Sequence, residues 1–560
     1  MIRFAPRLAI LVLIGPILCG LLATLFPAFG YFPALGGEQL TLEPFKMLFA
    51  QPGIWRSSLV SLLTGLLTTA ISLFLVLAFF ASWAGTPLFQ KVQGLISPLL
   101  SIPHAAAAFG LAFMISPSGW LMRLLSPELT GFIRPPDWHI LNDPMGLSMI
   151  AGLVIKEIPF LFLVTLAAMP QVRAGDNRRI AASLGYGRVA GFFFVLWPQL
   201  YRQIRLAVFA VIAYASSVVD VALILGPTNP APLAVRLIDW MNDPDLAMRF
   251  PASAGALLQL GVTAAALIIW IIGECFFTRV FRAQAGQGHR YARDKVFRYV
   301  SSIAILIVAV MFVTGLIILA LWSVAGYWAF PDALPSSFNL RTWQNQLQGF
   351  QTPFYNTIVI GLLSTVIAIG IALACLEREA RTGRSGGDRA LLLLYLPLIV
   401  PQAGFVFGLQ MFFLVLGLNA SFAALLLVHL VFVLPYVFLS LSDPWRAFDR
   451  RYDWTAATMG ISRNRAFWQI RFPMLARAIL VACAIGFAVS IGQYLPTILI
   501  GAGRWPTLTT EAVALASGGD RRVIGVYAFL QMLLPFAGFL LAALVPAIWF
   551  ANRRDMQAGK

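Results

Sequence analysis

The stretch Arg179–Pro198 reads R-I-A-A-S-L-G-Y-G-R-V-A-G-F-F-F-V-L-W-P, and Trp454–Pro473 answers it with W-T-A-A-T-M-G-I-S-R-N-R-A-F-W-Q-I-R-F-P. In both, Ala-x-x-x-Gly is followed thirteen residues later by proline, and Ala181/Ala456, Gly185/Gly460 and Pro198/Pro473 are each 275 residues apart. Gly226/Gly501 and Leu233/Leu508 keep that spacing downstream. Upstream, Pro159-Phe160-x-Phe162-Leu163 is matched by Pro435-Tyr436-x-Phe438-Leu439, and Pro103 with Phe109-Gly110-Leu111 by Pro401 with Phe407-Gly408-Leu409. Matches in one order, with insertions confined to loops, indicate an internal duplication. The expected repeats are residues 1–285 and 286–560, with the matched loops at 173–200 and 446–475.

The surroundings of these loops exclude a soluble fold. Of 560 residues, 59% are hydrophobic and only 11% charged, and the mean hydropathy is +0.82, whereas an ordinary globular chain carries about 25% charged residues. Apolar runs long enough for a hydrocarbon core of ~30 Å recur throughout. They predict twelve spans, at 8–28, 57–82, 92–116, 145–169, 204–228, 254–278, 299–326, 354–376, 390–416, 420–442, 477–500 and 525–549. The fold class is therefore an all-α polytopic membrane protein of two parallel six-helix repeats. Their relation is an axis along the membrane normal, because an even number of spans returns each repeat to its starting side. The N-terminal run from Leu8 is too long for the apolar core of a signal peptide and reads as a retained first span.

Net charge is +17, which invites a nucleic-acid reading, but the cations lie between apolar spans rather than along one basic face. With the N-terminus inside, most of the 40 Lys+Arg residues fall in cytoplasmic segments, as the positive-inside rule requires. Both termini are thus expected in the cytoplasm and no nucleic-acid partner is implied. Cys19, Cys275, Cys375 and Cys483 lie in or beside apolar spans, and His104, His139, His289 and His429 are scattered. Neither set has metal-ligand spacing, so no metal and no cofactor are expected. A Walker A motif needs Lys followed by Ser or Thr; none of Lys46, Lys91, Lys156, Lys295 and Lys560 is. The chain itself is not expected to be an enzyme.

In the loops, Gly185, with Gly187, permits a sharp turn after a helix that contains Ala181. A second short helix then runs to Pro198, where the next span begins. A helix–turn–helix repeated in two loops is suited to docking in a partner's groove; an amphipathic connector lying on headgroups is the plainer reading.

These residues resemble the EAA motif, E-A-A-x-x-x-G-(x9)-I-x-L-P, of bacterial binding-protein-dependent ABC importer permeases. The match falls on Ala181, Gly185 and Pro198, and again on Ala456, Gly460 and Pro473. The motif's glutamate is replaced by Arg179 and Trp454, and its first alanine by Ile180 and Thr455, which puts any ion pair through that glutamate in doubt; Asp176 and Asp453 are the nearby acids. The fused two-repeat arrangement is similar to the ferric-iron and thiamine importer permeases, and Gly15–Tyr31 to a YnjC-type branch. The resemblance implies a pathway between the halves and an ABC ATPase subunit, in two copies, on the EAA-like loops. It also implies an extracytoplasmic solute-binding protein, a small-molecule or ion substrate, and a place in the bacterial cytoplasmic (inner) membrane.

Ionisable and polar residues within spans are costly and mark pathways or helix ties. Asp220 lies six residues before Gly226, and Gln493 and Tyr494 lie at a comparable level before Gly501. All three are the candidate pathway-lining residues. Lys156 and Glu157 are read instead as structural. The alternatives are an ion-coupled secondary transporter of two parallel six-helix halves, which gives no reason for the paired loops, and a polytopic membrane enzyme, for which no catalytic cluster is present.

Overall fold

A computed structural model describes residues 2–383 and 386–549, and these are helices and loops without a β-strand. The expected position of the C-terminal tail, 550–560, lies outside the described residues. The N-terminal half runs α1 (Ala5–Ala28), α2 (Ile54–Trp83), α3 (His104–Ile115), α4 (Leu147–Ala168), α5 (Ala174–Ser183), α6 (Trp197–Ser217), α7 (Asp220–Leu225) and α8 (Arg249–Gly286). The C-terminal half runs α9 (Lys295–Val324), α10 (Arg341–Thr382), α11 (Gly387–Ile399), α12 (Gln402–Val415), α13 (Phe422–Arg446), α14 (Arg451–Thr458), α15 (Ala476–Ile491), α16 (Leu495–Gly501) and α17 (Arg521–Trp549).

Among the described residues, nine helices are long and apolar enough to cross a membrane. The other three expected spans are interrupted. Span 390–416 bends by 84° between α11 and α12, where Pro401 takes extended backbone (φ −60°, ψ 132°) and its ring denies the helix an N–H. Span 204–228 breaks between Ser217 and Asp220, and span 477–500 between Ile491 and Leu495. The start of span 92–116 is also replaced: a helix over Pro87–Ile96 and a 3₁₀ turn over Ser97–Ser101 precede α3, which Pro103 opens in extended conformation.

Packing repeats in the two halves. Helices α2, α4 and α6 pack together, as α10, α13 and α15 do. The first helix of each half leaves its own group: α1 lies along α12 and α9 along α3. Glycine permits both crossings. A Cβ on Gly408 would collide with the Gly20 carbonyl and Thr24, and one on Gly110 would lie 2.9 Å from the Gly315 carbonyl. Small residues at such crossings let backbones approach and supply the van der Waals contact that replaces a hydrophobic driving force in lipid. Each half is thus clasped by a helix of the other.

Gly408→Val is expected to cost about 2 kcal/mol or more through backbone overpacking, lowering the apparent Tm and broadening the size-exclusion peak in detergent. Gly370→Val, at a helical glycine with open space around it, is expected to change neither.

Candidate functional site

Helix α5 ends in a Schellman turn. Gly185 N–H donates to Ala182 O at 3.0 Å and Tyr186 N–H to Ala181 O at 3.1 Å, with Gly185 at φ +81°. The second loop repeats this through Gly460 to Ala457 (3.0 Å) and Ile461 to Ala456 (2.9 Å), with Gly460 at φ +74°. The Ala-x-x-x-Gly spacing is the spacing of this cap: the residue after the left-handed glycine reaches back to the carbonyl five positions earlier. Ala181 and Ala456 are buried. A Cβ on Gly191 would sit 2.8 Å from that of Ala181, so a larger residue at 181 would push the loop apart. After the turn come a short helix, Arg188–Gly191 or Arg463–Ala466, and a π-turn, Phe192–Leu196 or Phe467–Arg471. Pro198 and Pro473 then stand in the first turn of the following helix, where no N–H is needed.

Gly187 departs from the expected role. Its backbone is extended (φ −57°, ψ 161°), so the turn rests on Gly185 alone. The outer face of each loop is apolar and unpartnered: Ile180 and Leu184 are exposed in the first, and Trp454 and Met459 in the second.

The two loops are anchored by different chemistry. Arg178 and Arg188 donate to the Ala84 carbonyl at the end of α2, a favourable place for cations. Under the second loop Arg471 bridges Glu377 (2.7 Å) and Asp453, while Arg381 closes on Glu377 at 2.6 Å. The Arg471 guanidinium also lies 5.0 Å from the Phe448 ring centroid. Asp453 is therefore directed inward, whereas Asp176 makes only an exposed 3.9 Å pair with Arg179.

A cavity of about 490 Å³ lies between the halves. Residues at all four of these breaks line it: Ser101–His104, Ser217–Asp220, Leu398 with Val400–Gln402, and Gly492–Leu495. Asp220, Gln493 and Tyr494 all line it, as do Lys156 and Glu157. Lys156 Nζ donates to Leu100 O at 3.0 Å, and Glu157 meets His104 Nε2 at 3.1 Å. Sequence reasoning gave these two a structural role. Their partners are Leu100, in the irregular segment ahead of α3, and His104, the first residue of α3, so cavity lining and structural support coincide in them. His104, Tyr214, Gln402 and Tyr436 are further polar lining groups that no sequence signal identified. From the breaks the walls run along Phe160–Ala167 of α4 and Leu439–Ser440 of α13, toward the end of the bundle carrying the loops. At the other end α7 packs across the halves on Leu508–Ala514 and Leu515–Ser517.

His429 is a satisfied core residue, with Ser490 Oγ at 2.8 Å and Thr497 Oγ1 at 3.0 Å. No cluster of three or more His, Cys, Asp or Glu able to hold a metal occurs among the described residues.

No protein-family profile matches the chain. Among curated proteins it is 31% identical over 551 residues to the inner membrane ABC transporter permease protein YnjC of Escherichia coli, covering 98% of each chain. It is 24% identical over 424 residues to the thiamine transport system permease protein ThiP of the same organism, 73% of each. It is 23% identical over 183 residues to the spermidine/putrescine transport system permease protein PotC of Haemophilus influenzae, covering 33% of this chain and 70% of that one.

Arg471→Ala is expected to cost about 3 kcal/mol, because it leaves the buried Glu377 carboxylate without Arg471. Arg471→Met combined with Glu377→Gln and Asp453→Asn is expected to cost markedly less. Thermal unfolding of the three proteins in one detergent checks the order.

Proposed function

The chain belongs to the permease family of ABC transporters, and on that footing we propose that it forms the whole translocation pathway of an importer driven by a separate ATPase. Two repeats, 1–285 and 286–560, enclose the pathway between them. The loops at 173–200 and 446–475 are the ATPase docking elements, one for each of two ATPase copies, and both termini lie in the cytoplasm with them. An extracytoplasmic binding protein delivers a small molecule or ion to the opposite face.

The observation that carries this reading is the matched pair of loops. Both have the same capped turn and a buried alanine, and both turn apolar side chains outward. Rigid, solvent-facing apolar projections at two equivalent places fit a partner present twice. They have no use in an ion-coupled transporter, the alternative reading of the sequence. The cavity, bounded by contact across the halves at its far end and running toward the loops, fits an inward-facing state. ATP-driven closure of the ATPase pair would draw the loops together and reverse which end is closed. Asp220, Gln493 and Tyr494 would then meet the solute at the level of the breaks, the usual place for transporter sites built from discontinuous helices. Lys156 and Glu157 join them on this reading.

Aspartate at 185 or 460 must adopt a left-handed backbone that glycine takes without strain. Gly185→Asp with Gly460→Asp is expected to abolish co-purification of the ATPase while the permease stays monodisperse. Retention of the ATPase by the double variant would refute the docking role. Asp220→Asn is expected to keep the ATPase bound and to lower ATP-dependent uptake about tenfold, the size of effect of losing one charge-assisted contact. Unchanged uptake would remove Asp220 from the pathway.

A further inference from the structure

The segment joining the two halves, residues 287–294, lies on the first loop. Gly187 N–H donates to Arg290 O at 3.0 Å, and Val189 N–H donates to Asp294 Oδ2 at 3.0 Å. The Arg290 guanidinium stands 4.5 Å from the Tyr186 ring centroid, and the Tyr291 ring stacks on Phe194 at 6.2 Å. A Cβ at Gly187 would strike the Tyr291 carbonyl. Tyr291 itself holds φ +44°, a left-handed backbone that a bulky residue keeps only when its surroundings impose it.

The second loop performs the same local task alone. Ser462, the counterpart of Gly187 at the 275-residue spacing, is the N-cap of its short helix and accepts from Arg465 N–H at 3.4 Å. Gly187 occupies the N-cap position in the first loop and has no side chain to offer. The carboxylate of Asp294 takes that place, more than a hundred residues along the chain. A carboxylate near a helix N-terminus pairs orphan N–H groups and complements the helix dipole.

We propose that the linker 287–294 is a strap that caps and orients the first loop in trans, with Asp294 as its positioning residue and Gly187 as the gap that admits it. The two loops thereby differ in kind. The second is self-capped, and the first takes its shape from the segment leading into α9, the helix that the C-terminal half lays along α3. As an account of docking this rests on the reading of the loops given above. The strap itself is tested on the permease alone, so a failed ATPase interaction leaves its outcome untouched.

Amide hydrogen exchange of the full chain in lipid nanodiscs tests it. Asp294→Ala is expected to speed exchange at Gly187–Phe192 about tenfold, the effect of a lost N-cap, while Arg463–Phe467 of the second loop exchanges as before. Asp294→Asn keeps an oxygen acceptor for Val189 N–H and is expected to retain most of the protection, whereas Asp294→Leu, of similar size without an acceptor, is expected to exchange as Asp294→Ala does. A segment that only fills space would make Asp294→Leu protect as well as Asp294→Asn. Unchanged exchange in Asp294→Ala, an equal rise in both loops, or equal protection in Asp294→Asn and Asp294→Leu would each overturn the proposal.

Discussion

Hydrocarbon offers a backbone amide no partner, so a helix within a membrane can be interrupted only where protein or a watered cavity receives the freed groups. Among the described residues, four of the expected spans are interrupted, and residues at each of these four breaks line the same cavity between the halves. Pro103 and Pro401 fix two of them by removing an N–H and imposing extended backbone. The other two fall at 217–220 and 491–495, ahead of Gly226 and Gly501. Polar side chains gather at these places, because exposed carbonyls and half-helices supply them with partners, as Leu100 O does for Lys156. The site is a consequence of where the backbone cannot be continuous.

Around that cavity the two halves are held together by exchange. Helix α1 crosses α12 at Gly20 and Gly408, and α9 crosses α3 at Gly315 and Gly110. The remaining bundle of each half keeps its own internal packing. Such an arrangement can change the tilt of one bundle against the other while the crossings act as pivots, which suits alternating access. On the proposed function the loops would be the levers on which such a motion is imposed. Their shape is common to both, but one is fixed by a buried carboxylate–guanidinium network and the other by arginines on a helix-end carbonyl together with the linker.

The sequence made legible whatever is decided within a few residues or repeated in both halves. Ala181 and Gly185 could be read as a helix end because the Schellman cap is local, and its recurrence at Ala456 and Gly460 marked it as common to both loops. Asp220, Gln493 and Tyr494 stood out because polar groups near the end of an apolar run are expensive there. What escaped was set by distant partners. Gly187 passed for part of the turn, since Tyr291, whose carbonyl requires it, is far along the chain. Span 390–416 read as continuous because hydropathy averaged across Pro401 remains apolar on both sides of an 84° bend. Nothing along the chain announced that α1 would lie on α12.

The most direct test of the central claim is photo-cross-linking in cells from Leu184 and Met459, equivalent positions at the 275-residue spacing and both exposed on the loops. The account predicts that each position captures the same ATP-binding-cassette polypeptide. Capture of lipid alone from both positions, with ATP-independent uptake in the same cells, would contradict it.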